Sequence, residues 1–324
     1  MPPISVVIPT YARPASLERV LHALCAQTLP GSDYEVIVSI DGCEDGAREV
    51  VTRFAAPYAL QGIWRPKSGR ASACNAGIRA ARGELVVLLD DDMEPAPHCL
   101  AAHARAHRSR SRLGVLGAVP IEVGPGSPPI VLFVAEKFNR HLEVLARPGH
   151  KIRIRDFYTG NFSIPREILF EAGLFDEGFT LYGNEDGELA IRLQATGVQL
   201  VYSPEALARQ HYEKDFAALA QDKLAQGRTS VACAVKHPEG ISNLRIGTYM
   251  RGSRKWRLLR SALLTASRPL RFLPKWIVDY IRWLEKRRSH SLPSRYHQAL
   301  DYFYWLGVRS ALDEERRTIG KLVL

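Results

Sequence analysis

The chain has 324 residues and a formal net charge of +10 at pH 7, and its length allows one large domain with an appendage, or two domains. Its longest apolar runs are far shorter than the roughly 20 residues that span a bilayer, and its apolar content excludes a disordered chain. Between residues 251 and 288 there are twelve Lys and Arg residues and two Asp and Glu residues, so the excess positive charge belongs to one segment.

Strand and helix signals alternate along the first part of the chain. Pro9 ends the first strand, and Pro14 is typical of the first turn of a helix. This alternation predicts an α/β fold with a mainly parallel sheet flanked by helices. The predicted strands cover residues 4–8, 35–40, 63–64 and 85–89, and the predicted helices cover residues 14–27 and 47–54 and a segment that ends at 82.

Three consecutive carboxylates follow the apolar run at 85–89 directly. Adjacent carboxylates repel one another, so placing them together at the end of a buried strand is unfavourable without a cation or hydrogen-bond donors. Alternation along an extended segment puts Asp90 and Asp92 on one side and Asp91 on the other, a spacing that suits a metal bound to a diphosphate. In the alternative interpretation, the three acids cap a following helix near residues 95–107 and are solvated.

Polar residues also follow two other predicted strands. The stretch Pro9-Thr10-Tyr11 comes after the first strand, and Asp41 comes after the second. In a parallel sheet the carboxyl ends of the strands meet at one edge, where ligands bind. We therefore expect these residues to lie near the three acids, with His211, after a last strand at 199–202, within reach of the same edge.

From about residue 213 the sequence predicts helices and no strands. We therefore predict an α/β domain at 1–212 and a basic helical C-terminal region at 213–324. Apolar and aromatic residues recur at helical spacing within the basic segment 251–288, which is typical of a helix lying on an anionic membrane surface. The alternative is a helical subdomain whose aromatic residues pack on the main domain and whose cations are solvated. We predict no nucleic-acid binding, because no recognisable reader motif accompanies the charge.

A set of motifs in a fixed order resembles the family 2 glycosyltransferases, which are inverting enzymes of the GT-A fold that use nucleotide-diphosphate sugars. The set spans residues 4–211. Its members are Val6-Val7-Ile8-Pro9-Thr10-Tyr11 with Arg13, Asp41-Gly42, Asn75-Ala76-Gly77, Asp90-Asp91-Asp92, Gly160-Asn161-Phe162-Ser163, Gly173-Leu174-Phe175-Asp176-Glu177 and Glu185-Asp186-Gly187-Glu188-Leu189. The resemblance implies a GT-A catalytic domain that transfers a sugar to an acceptor hydroxyl in polysaccharide, glycolipid or glycoconjugate synthesis.

The resemblance also implies roles for the acidic residues. Asp186 matches the general base that takes the proton of the acceptor hydroxyl, and Glu185 beside it orients the acceptor or a neighbouring loop. Asp92 matches the direct ligand of a Mn²⁺ or Mg²⁺ ion that neutralises the leaving diphosphate, and His211 matches a further ligand in some relatives. Asp90 is expected near the ribose or the donor sugar.

The nucleotide contacts implied by the resemblance come mainly from the strand ends. Asp41 would accept a hydrogen bond from a ring N–H of uracil or thymine, so we expect a UDP-sugar first and a dTDP-sugar second. Cys74 stands where many relatives carry an arginine near the diphosphate, and Arg70 is the candidate substitute. The expected nucleotide-binding residues are Pro9, Thr10, Tyr11, Arg13, Asp41, Arg70, Asn75, Asp90 and Asp91, and Gly160 and Asn161 are expected to line the donor or acceptor pocket.

The sequence leaves the acceptor open between a saccharide, a lipid-linked molecule and a small molecule. Two alternatives to a glycosyltransferase are a sugar-nucleotide or nucleotidyl transferase, and a basic binding protein that keeps the fold without turnover. The chain has five cysteines, an odd number, and no Cys-x-x-Cys pair, which favours a reducing compartment. We therefore expect a cytoplasmic protein, with peripheral attachment at the inner face of the membrane as a further option.

Overall fold

The computed structural model describes residues 3–42, 46–108, 112–238, 241 and 245–323. The strands in this part of the chain are β1 (Ile4–Thr10), β2 (Tyr34–Asp41), β3 (Ala59–Arg65), β4 (Leu85–Leu89), β5 (Met93–Pro95), β6 (Leu113–Gly117), β7 (Asn161–Pro165), β8 (Gln199–Ser203) and β9 (Ala208–Gln210). The helices are α1 (Pro14–Cys25), α2 (Ala47–Arg53), α3 (Arg70–Ala80), α4 (Cys99–His107), α5 (Pro129–Leu145), α6 (Arg166–Glu171), α7 (Glu185–Ala195), α8 (Phe216–Lys236), α9 (Arg254–Ala266), α10 (Leu273–Lys286) and α11 (Leu292–Val323).

The main sheet has seven strands in the order β3-β2-β1-β4-β7-β6-β8. Strand β7 runs antiparallel to both of its neighbours, and the other pairs are parallel. Strands β1 and β4 are continuous buried runs because helices cover both faces of such a sheet. The prediction of a mainly parallel sheet flanked by helices is confirmed.

The strand order reverses between β1 and β4. After β1 the chain continues outward through β2 and β3, and then returns to place β4 on the other side of β1. The carboxyl ends of these two strands therefore form a topological switch point, which is where open α/β sheets bind ligands. Thr10 ends β1 and Asp90 follows β4, so the sequence places polar residues at this point.

Strands β6 and β7 are absent from the elements that the sequence predicts. Strand β7 alternates the polar residues Asn161 and Ser163 with the apolar residues Phe162 and Ile164, and all four are buried. Polar residues in this stretch are more typical of a loop than of a buried strand. In the structure, His103 on α4 forms hydrogen bonds with both Asn161 and Ser163, so their polar side chains have partners inside the fold. Burial of paired polar groups therefore concealed the strand.

The chain divides into two compact units. The first contains Met1–Glu122, Ala135–Thr180 and Glu185–Tyr212, and the second contains Val123–Val134, Leu181–Asn184 and Glu213–Leu324. The boundary between residues 212 and 213 that the sequence indicates stays a prediction. Cys25, Cys74, Cys99 and Cys233 are free thiols, and Cys43 lies outside the described residues.

The second unit is built on the close packing of α8 and α11. Gly227 on α8 faces the backbone carbonyl of Tyr304, and Gly307 on α11 faces the carbonyl of Leu224, so a Cβ at either glycine would overlap a backbone oxygen. Helix α9 joins this pair through Arg260, which is buried and donates to Asp301 on α11 at 2.9 Å. The prediction of a helical C-terminal region is confirmed. In the part of the chain that the structure covers, every helix is too short or too polar to cross a bilayer.

Candidate active site

Asp91 joins the end of β4 to the end of β1. Its carboxylate accepts a hydrogen bond from Thr10 Oγ1 at 2.8 Å and forms an ion pair with Arg13 Nη1 at 3.1 Å. Burial raises the pKa of Asp91 to about 6, although Arg13 and Thr10 act in the opposite direction. Arg13 also lies 3.5 Å from Asp92 Oδ2. The middle carboxylate of the three therefore turns inward and ties the two strand ends together.

Arg70, the first residue of α3, lies at the centre of the site. Its Nη2 donates to Asp90 Oδ1 at 2.6 Å and to Thr159 Oγ1 at 2.9 Å. Its Nη1 donates to Asp186 Oδ1 at 3.0 Å and lies 3.7 Å from Glu185 Oε1. Thr159 in turn donates to Asp186 Oδ1 at 2.6 Å. One guanidinium therefore connects the carboxylate after β4 to both acids at the start of α7.

The site carries more negative than positive charge. Burial opposes the charge on Arg70, but the Asp90 and Asp186 carboxylates outweigh it and hold the pKa of Arg70 well above its usual value. In the described residues, ion pairs join two arginines, Arg13 and Arg70, to five carboxylates. These carboxylates are Asp90, Asp91, Asp92, Glu185 and Asp186. The arrangement can hold an additional cation or a cationic part of a ligand.

A backbone hydrogen bond joins the two expected metal ligands, Asp92 and His211. His211 N donates to Asp92 O at 2.9 Å, while His211 Nε2 lies 2.6 Å from Glu94 Oε2 and Gln210 Nε2 donates to Asp92 Oδ2 at 3.3 Å. Among the residues described, no three His, Cys, Asp or Glu side chains are arranged to hold a metal ion. A Mg²⁺ or Mn²⁺ ion shared with substrate phosphates needs only one or two protein ligands. The assignment of Asp92 and His211 as ligands of such an ion stays a prediction.

Asp41 holds the loop that leads into α3. Its carboxylate accepts hydrogen bonds from Ser68 N at 2.7 Å and from Gly69 N at 2.9 Å. Gly69 has a φ of 95°, in the left-handed region that favours glycine, and it comes directly before Arg70. Asp41 therefore fixes the start of α3 and the backbone from which Arg70 extends.

Tyr11 and Pro9 occupy different environments at the end of β1. The Tyr11 ring is exposed, and its hydroxyl lies 2.8 Å from Lys67 Nζ. Pro9 is buried within β1 opposite Ser39 on β2. Of these two expected nucleotide-binding residues, the structure places the Tyr11 side chain at the exposed edge and Pro9 inside the sheet.

Asn75 and Asn161 do not join the carboxylate cluster in the structure. Asn75 Nδ2 donates to Phe175 O and to Glu177 Oε1, both at 2.9 Å, and so holds the turn at Glu177. Asn161 is fully buried, and its Oδ1 lies 2.9 Å from His103 Nε2. Both amides therefore have internal partners, and the nucleotide and pocket contacts expected of them stay predictions.

Gly160 lies against Asp90. Its carbonyl accepts a hydrogen bond from Asp90 N at 3.0 Å, and a Cβ at this position would lie 2.9 Å from Asp90 Oδ2. Cys74 lies one helical turn after Arg70 and is buried, and burial raises the pKa of its thiol to about 12. The arginine expected at position 74 is replaced by an inert thiol, and Arg70 supplies the guanidinium that reaches the site.

Sequence reasoning did not identify several side chains of the site. Thr159 bridges Arg70 and Asp186, and Glu94 contacts His211. Each had a local signal, because Thr159 directly precedes Gly160 and Glu94 lies two residues after the third acid of the run. These positions show that the candidate site extends by one or two residues beyond each motif.

The sequence profile described as Glycosyl transferase family 2 matches residues 5–170, which is slightly more than half of the chain. The chain belongs to this family, so the resemblance found in the sequence is confirmed. The match contains β1, α3, β4 and the three consecutive acids. It ends before Glu185 and Asp186, which the structure nevertheless brings to Arg70.

Two relatives illustrate the range of the family. The chain is 32% identical over 231 residues to a validoxylamine A glucosyltransferase from Streptomyces hygroscopicus subsp. limoneus, and the match covers 64% of this chain and 51% of the relative. It is 31% identical over 224 residues to a chondroitin synthase from Escherichia coli, covering 60% of this chain and 32% of the relative. The chain thus spans about half or less of the length of these relatives.

Two solved structures share the fold over nearly the whole chain. The mannosyltransferase PcManGT from Pyrobaculum calidifontis, solved with GDP-Man and Mn²⁺, matches with a TM-score of 0.61 at 20% identity and covers 94% of this chain and 87% of its own. Residues 1–349 of TarS from S. aureus, solved with UDP-GlcNAc, match with a TM-score of 0.56 at 15% identity and cover 97% of this chain and 92% of their own. The GT-A fold that the sequence predicts is confirmed.

Proposed function

We propose that this protein is an inverting glycosyltransferase that moves a sugar from a nucleotide-diphosphate donor to an acceptor hydroxyl. The observation that carries the proposal is the contact of Arg70 with Asp90 on one side and with Asp186 on the other. One guanidinium thus holds both Asp90, the carboxylate proposed to lie near the donor, and Asp186, the carboxylate proposed to meet the acceptor. Family membership supports the same reaction class.

In the proposed reaction Asp186 acts as the general base. Its carboxylate takes the proton of the acceptor hydroxyl as the hydroxyl oxygen attacks the anomeric carbon, and the bond between that carbon and the diphosphate oxygen breaks. The nucleoside diphosphate leaves from the opposite face, so the configuration inverts. Arg70 and Thr159 both donate to Asp186 Oδ1, and these two hydrogen bonds fix the direction of the carboxylate. Glu185 lies beside this pair and is proposed to orient the acceptor.

We further propose that Asp92 and His211 hold a Mn²⁺ or Mg²⁺ ion together with the donor diphosphate. When bound, the ion would neutralise the charge that develops on the leaving diphosphate. Two observations support this assignment: carboxylates outnumber arginines in the site, and the mannosyltransferase with the same fold was solved with Mn²⁺. Arg13 contacts both Asp91 and Asp92, so it would orient the carboxylate that meets the ion.

The proposed donor is a UDP-sugar, with a dTDP-sugar as the second choice. Tyr11 supplies an exposed ring at the end of β1, and Asp41 lies at the end of the neighbouring β2. A carboxylate there accepts from the ring N–H of uracil or thymine and disfavours cytosine. The TarS structure contains UDP-GlcNAc, whereas the mannosyltransferase structure contains GDP-Man, so the fold accommodates more than one base.

The proposed acceptor is a saccharide, a lipid-linked molecule or a small molecule that offers a hydroxyl. The names of the relatives include both a validoxylamine A glucosyltransferase and a chondroitin synthase. We propose that the reaction takes place in the cytoplasm, at the inner face of a membrane. The basic segment at 251–288 supports this location.

The test measures donor binding and turnover in the same preparations. A panel of nucleotide sugars is screened by thermal shift with and without Mn²⁺, since a ligand of the folded state raises the melting temperature. We expect Asp186→Asn to lower transfer or donor hydrolysis by about 100-fold or more while the donor still raises the melting temperature. We expect Asp92→Asn to lose the part of the shift that depends on metal.

The control for these variants is Glu205→Gln, which neutralises an exposed carboxylate paired with Arg105 away from the site. It should match the wild type in both assays. Unchanged turnover in Asp186→Asn and Asp92→Asn would contradict the mechanism. Release of pyrophosphate instead of a nucleoside diphosphate would indicate a nucleotidyl transferase.

A further inference from the structure

Helix α10 presents a stripe of aromatic side chains to solvent. The stripe consists of Phe272, just before the helix, and Trp276, Tyr280 and Trp283 along it, and all four are exposed, with Trp276 at 60%. The spacing of three and four residues places them on one side of the helix. Phe272 and Trp276 have ring centroids 4.4 Å apart, and Tyr280 and Trp283 are stacked at 6.2 Å. The aromatic stripe is therefore a continuous surface rather than a set of scattered side chains.

The opposite side of α10 is packed within the second unit. Ile281 and Leu284 are buried, and Tyr296 on α11 donates to Glu285 at 2.6 Å. The helix is therefore held in place by its inner face, and the exposed stripe does not result from loose packing. A contiguous exposed aromatic surface of this kind marks an interaction site.

Cations lie directly beside the aromatic stripe. Lys275, Arg282 and Lys286 follow at spacings of seven and four residues, which places them in a row along the helix, and all three are exposed. The Arg287 guanidinium lies 4.2 Å from the Trp283 ring centroid. One helix therefore presents an aromatic row and a cationic row next to each other, which is the pattern of a helix at the boundary between lipid headgroups and acyl chains.

Helix α9, which precedes α10 in the basic segment, also carries exposed aliphatic residues. Leu258 is 73% exposed and Leu259 is also exposed, close in sequence to Lys255. Aliphatic side chains gain little from stacking on nucleic-acid bases, whereas they gain free energy when they leave water for acyl chains. A second copy of this chain would bring the same positive segment to the contact, and like charges would oppose the association.

We propose that the outer face of α10, with the cations around it, binds the surface of a bilayer that contains anionic lipids. The inference deepens the membrane location included in the proposed function, because it names the face and the lipid class. The aromatic rings enter the headgroup region, and Lys275 and Lys286 contact the lipid phosphates, whereas Arg282 lies 3.3 Å from Asp215 Oδ2. Each cation near an anionic surface contributes about 1 kcal/mol, so this row and the rest of the segment suffice for reversible binding.

The experiment is flotation of the full chain with vesicles of phosphatidylcholine, with and without phosphatidylglycerol. We expect binding only with phosphatidylglycerol, weakening as salt increases, together with a blue shift of tryptophan emission. The variant Trp276→Ser/Trp283→Ser should lose the blue shift and most of the binding. The variant Lys275→Gln/Lys286→Gln should weaken binding by about tenfold or more.

The matched control is Arg105→Gln/Arg140→Gln, which removes two exposed cations from the first unit. It should bind vesicles like the wild type. Donor hydrolysis without vesicles should be unchanged in all three double variants, because none of these residues lies in the carboxylate site. This second readout shows that the variants are folded.

Three outcomes would overturn the inference: no binding to anionic vesicles, equal binding by the tryptophan variant and the wild type, or RNA binding in place of vesicle binding. A dimer that dissociates on the Trp276→Ser/Trp283→Ser change, without vesicle binding, would also overturn it. The Asp186→Asn variant separates the two proposals. If it binds vesicles but lacks activity, both stand, whereas an inactive wild type that still binds vesicles removes only the proposed catalysis.

Discussion

Arg70 Nη1 donates to Asp186 Oδ1 at 3.0 Å, although 116 residues separate the two in sequence. The same guanidinium donates to Asp90 at 2.6 Å. The distance between the carboxylate after β4 and the acid at the start of α7 is therefore set by one planar side chain. Catalysis depends on such positioning, because a group held in its reactive geometry needs no reorganisation during the reaction.

Removing the guanidinium should destabilise the fold as well as the site. Arg70→Met leaves three carboxylates without their cation, and we expect a loss of about 3 kcal/mol in the free energy of unfolding. Asp186→Asn relieves part of this repulsion. The double variant should therefore be more stable than the sum of the single effects predicts, with a coupling of about 1 to 3 kcal/mol measured by urea denaturation.

An exposed pair provides the control for this cycle. Arg140 and Glu136 form an ion pair one turn apart on α5, and both are mostly exposed. The cycle of Arg140→Met and Glu136→Gln should give a coupling of about 0.5 kcal/mol. If the Arg70 cycle gave no more than this, the idea that Arg70 holds Asp186 would be wrong.

Gly160→Ala should damage the site while the fold persists. The added Cβ would lie 2.9 Å from Asp90 Oδ2 and 3.0 Å from Met93 Cε, so the Asp90 carboxylate must move away from Arg70. We expect kcat/KM to fall by about 10- to 100-fold, measured with the donor identified in the thermal-shift screen. Gly126→Ala, where the added Cβ meets nothing within 4 Å, should leave kcat/KM unchanged.

The polar residues at the ends of β1 and β4 could be predicted from the sequence because the motifs that mark them are local. A buried apolar strand followed by Asp90, Asp91 and Asp92 can be recognised without knowledge of the fold, and the parallel arrangement then brings the ends of β1 and β4 together. The separate tasks of the three acids were not predictable in full. Asp91 turns inward to Thr10 and Arg13, and that choice depends on residues about 80 positions away.

The roles of the two asparagines depend on long-range contacts. Asn75 and Asn161 stand in motifs that suit ligand binding, yet in the structure Asn75 holds the backbone of Phe175 and Asn161 contacts His103. A buried amide and a ligand-binding amide have the same local sequence signal. Only the tertiary partner distinguishes them, so the motif alone could not predict these internal contacts.

The two histidines of α4, His103 and His107, should make stability depend on pH. Burial lowers the pKa of His103 to about 4 and that of His107 to about 4, from the ordinary value of 6.5. Their nitrogens face Ser163 and Asn161. Between pH 6.5 and 4 the unfolded chain binds more protons than the folded chain, so the stabilisation is complete above pH 6.5 and decreases as pH falls toward 4.

His103, which is fully buried, should contribute about 3 kcal/mol to this decrease, and the partly exposed His107 should contribute less. Urea denaturation between pH 7 and 4 measures it as the slope of the unfolding free energy against pH. The variant His103→Gln removes one of the two groups and should show a shallower slope, whereas His290→Gln, an exposed position, should match the wild type. An unchanged slope in His103→Gln would mean that His103 does not resist protonation in the folded state.

The packing of α8 against α11 gives a prediction that concerns stability alone. A Cβ at Gly227 would overlap the carbonyl of Tyr304, and one at Gly307 would overlap the carbonyl of Leu224. Because both neighbours are backbone, the helices must separate to admit a methyl group, and we expect each Ala variant to lose about 3 kcal/mol or more. Gly187→Ala on α7, where nothing lies within 4 Å, should instead gain up to about 1 kcal/mol from helix propensity. Thermal denaturation of the three variants measures these changes, and a stable Gly227→Ala would contradict the close approach of α8 and α11.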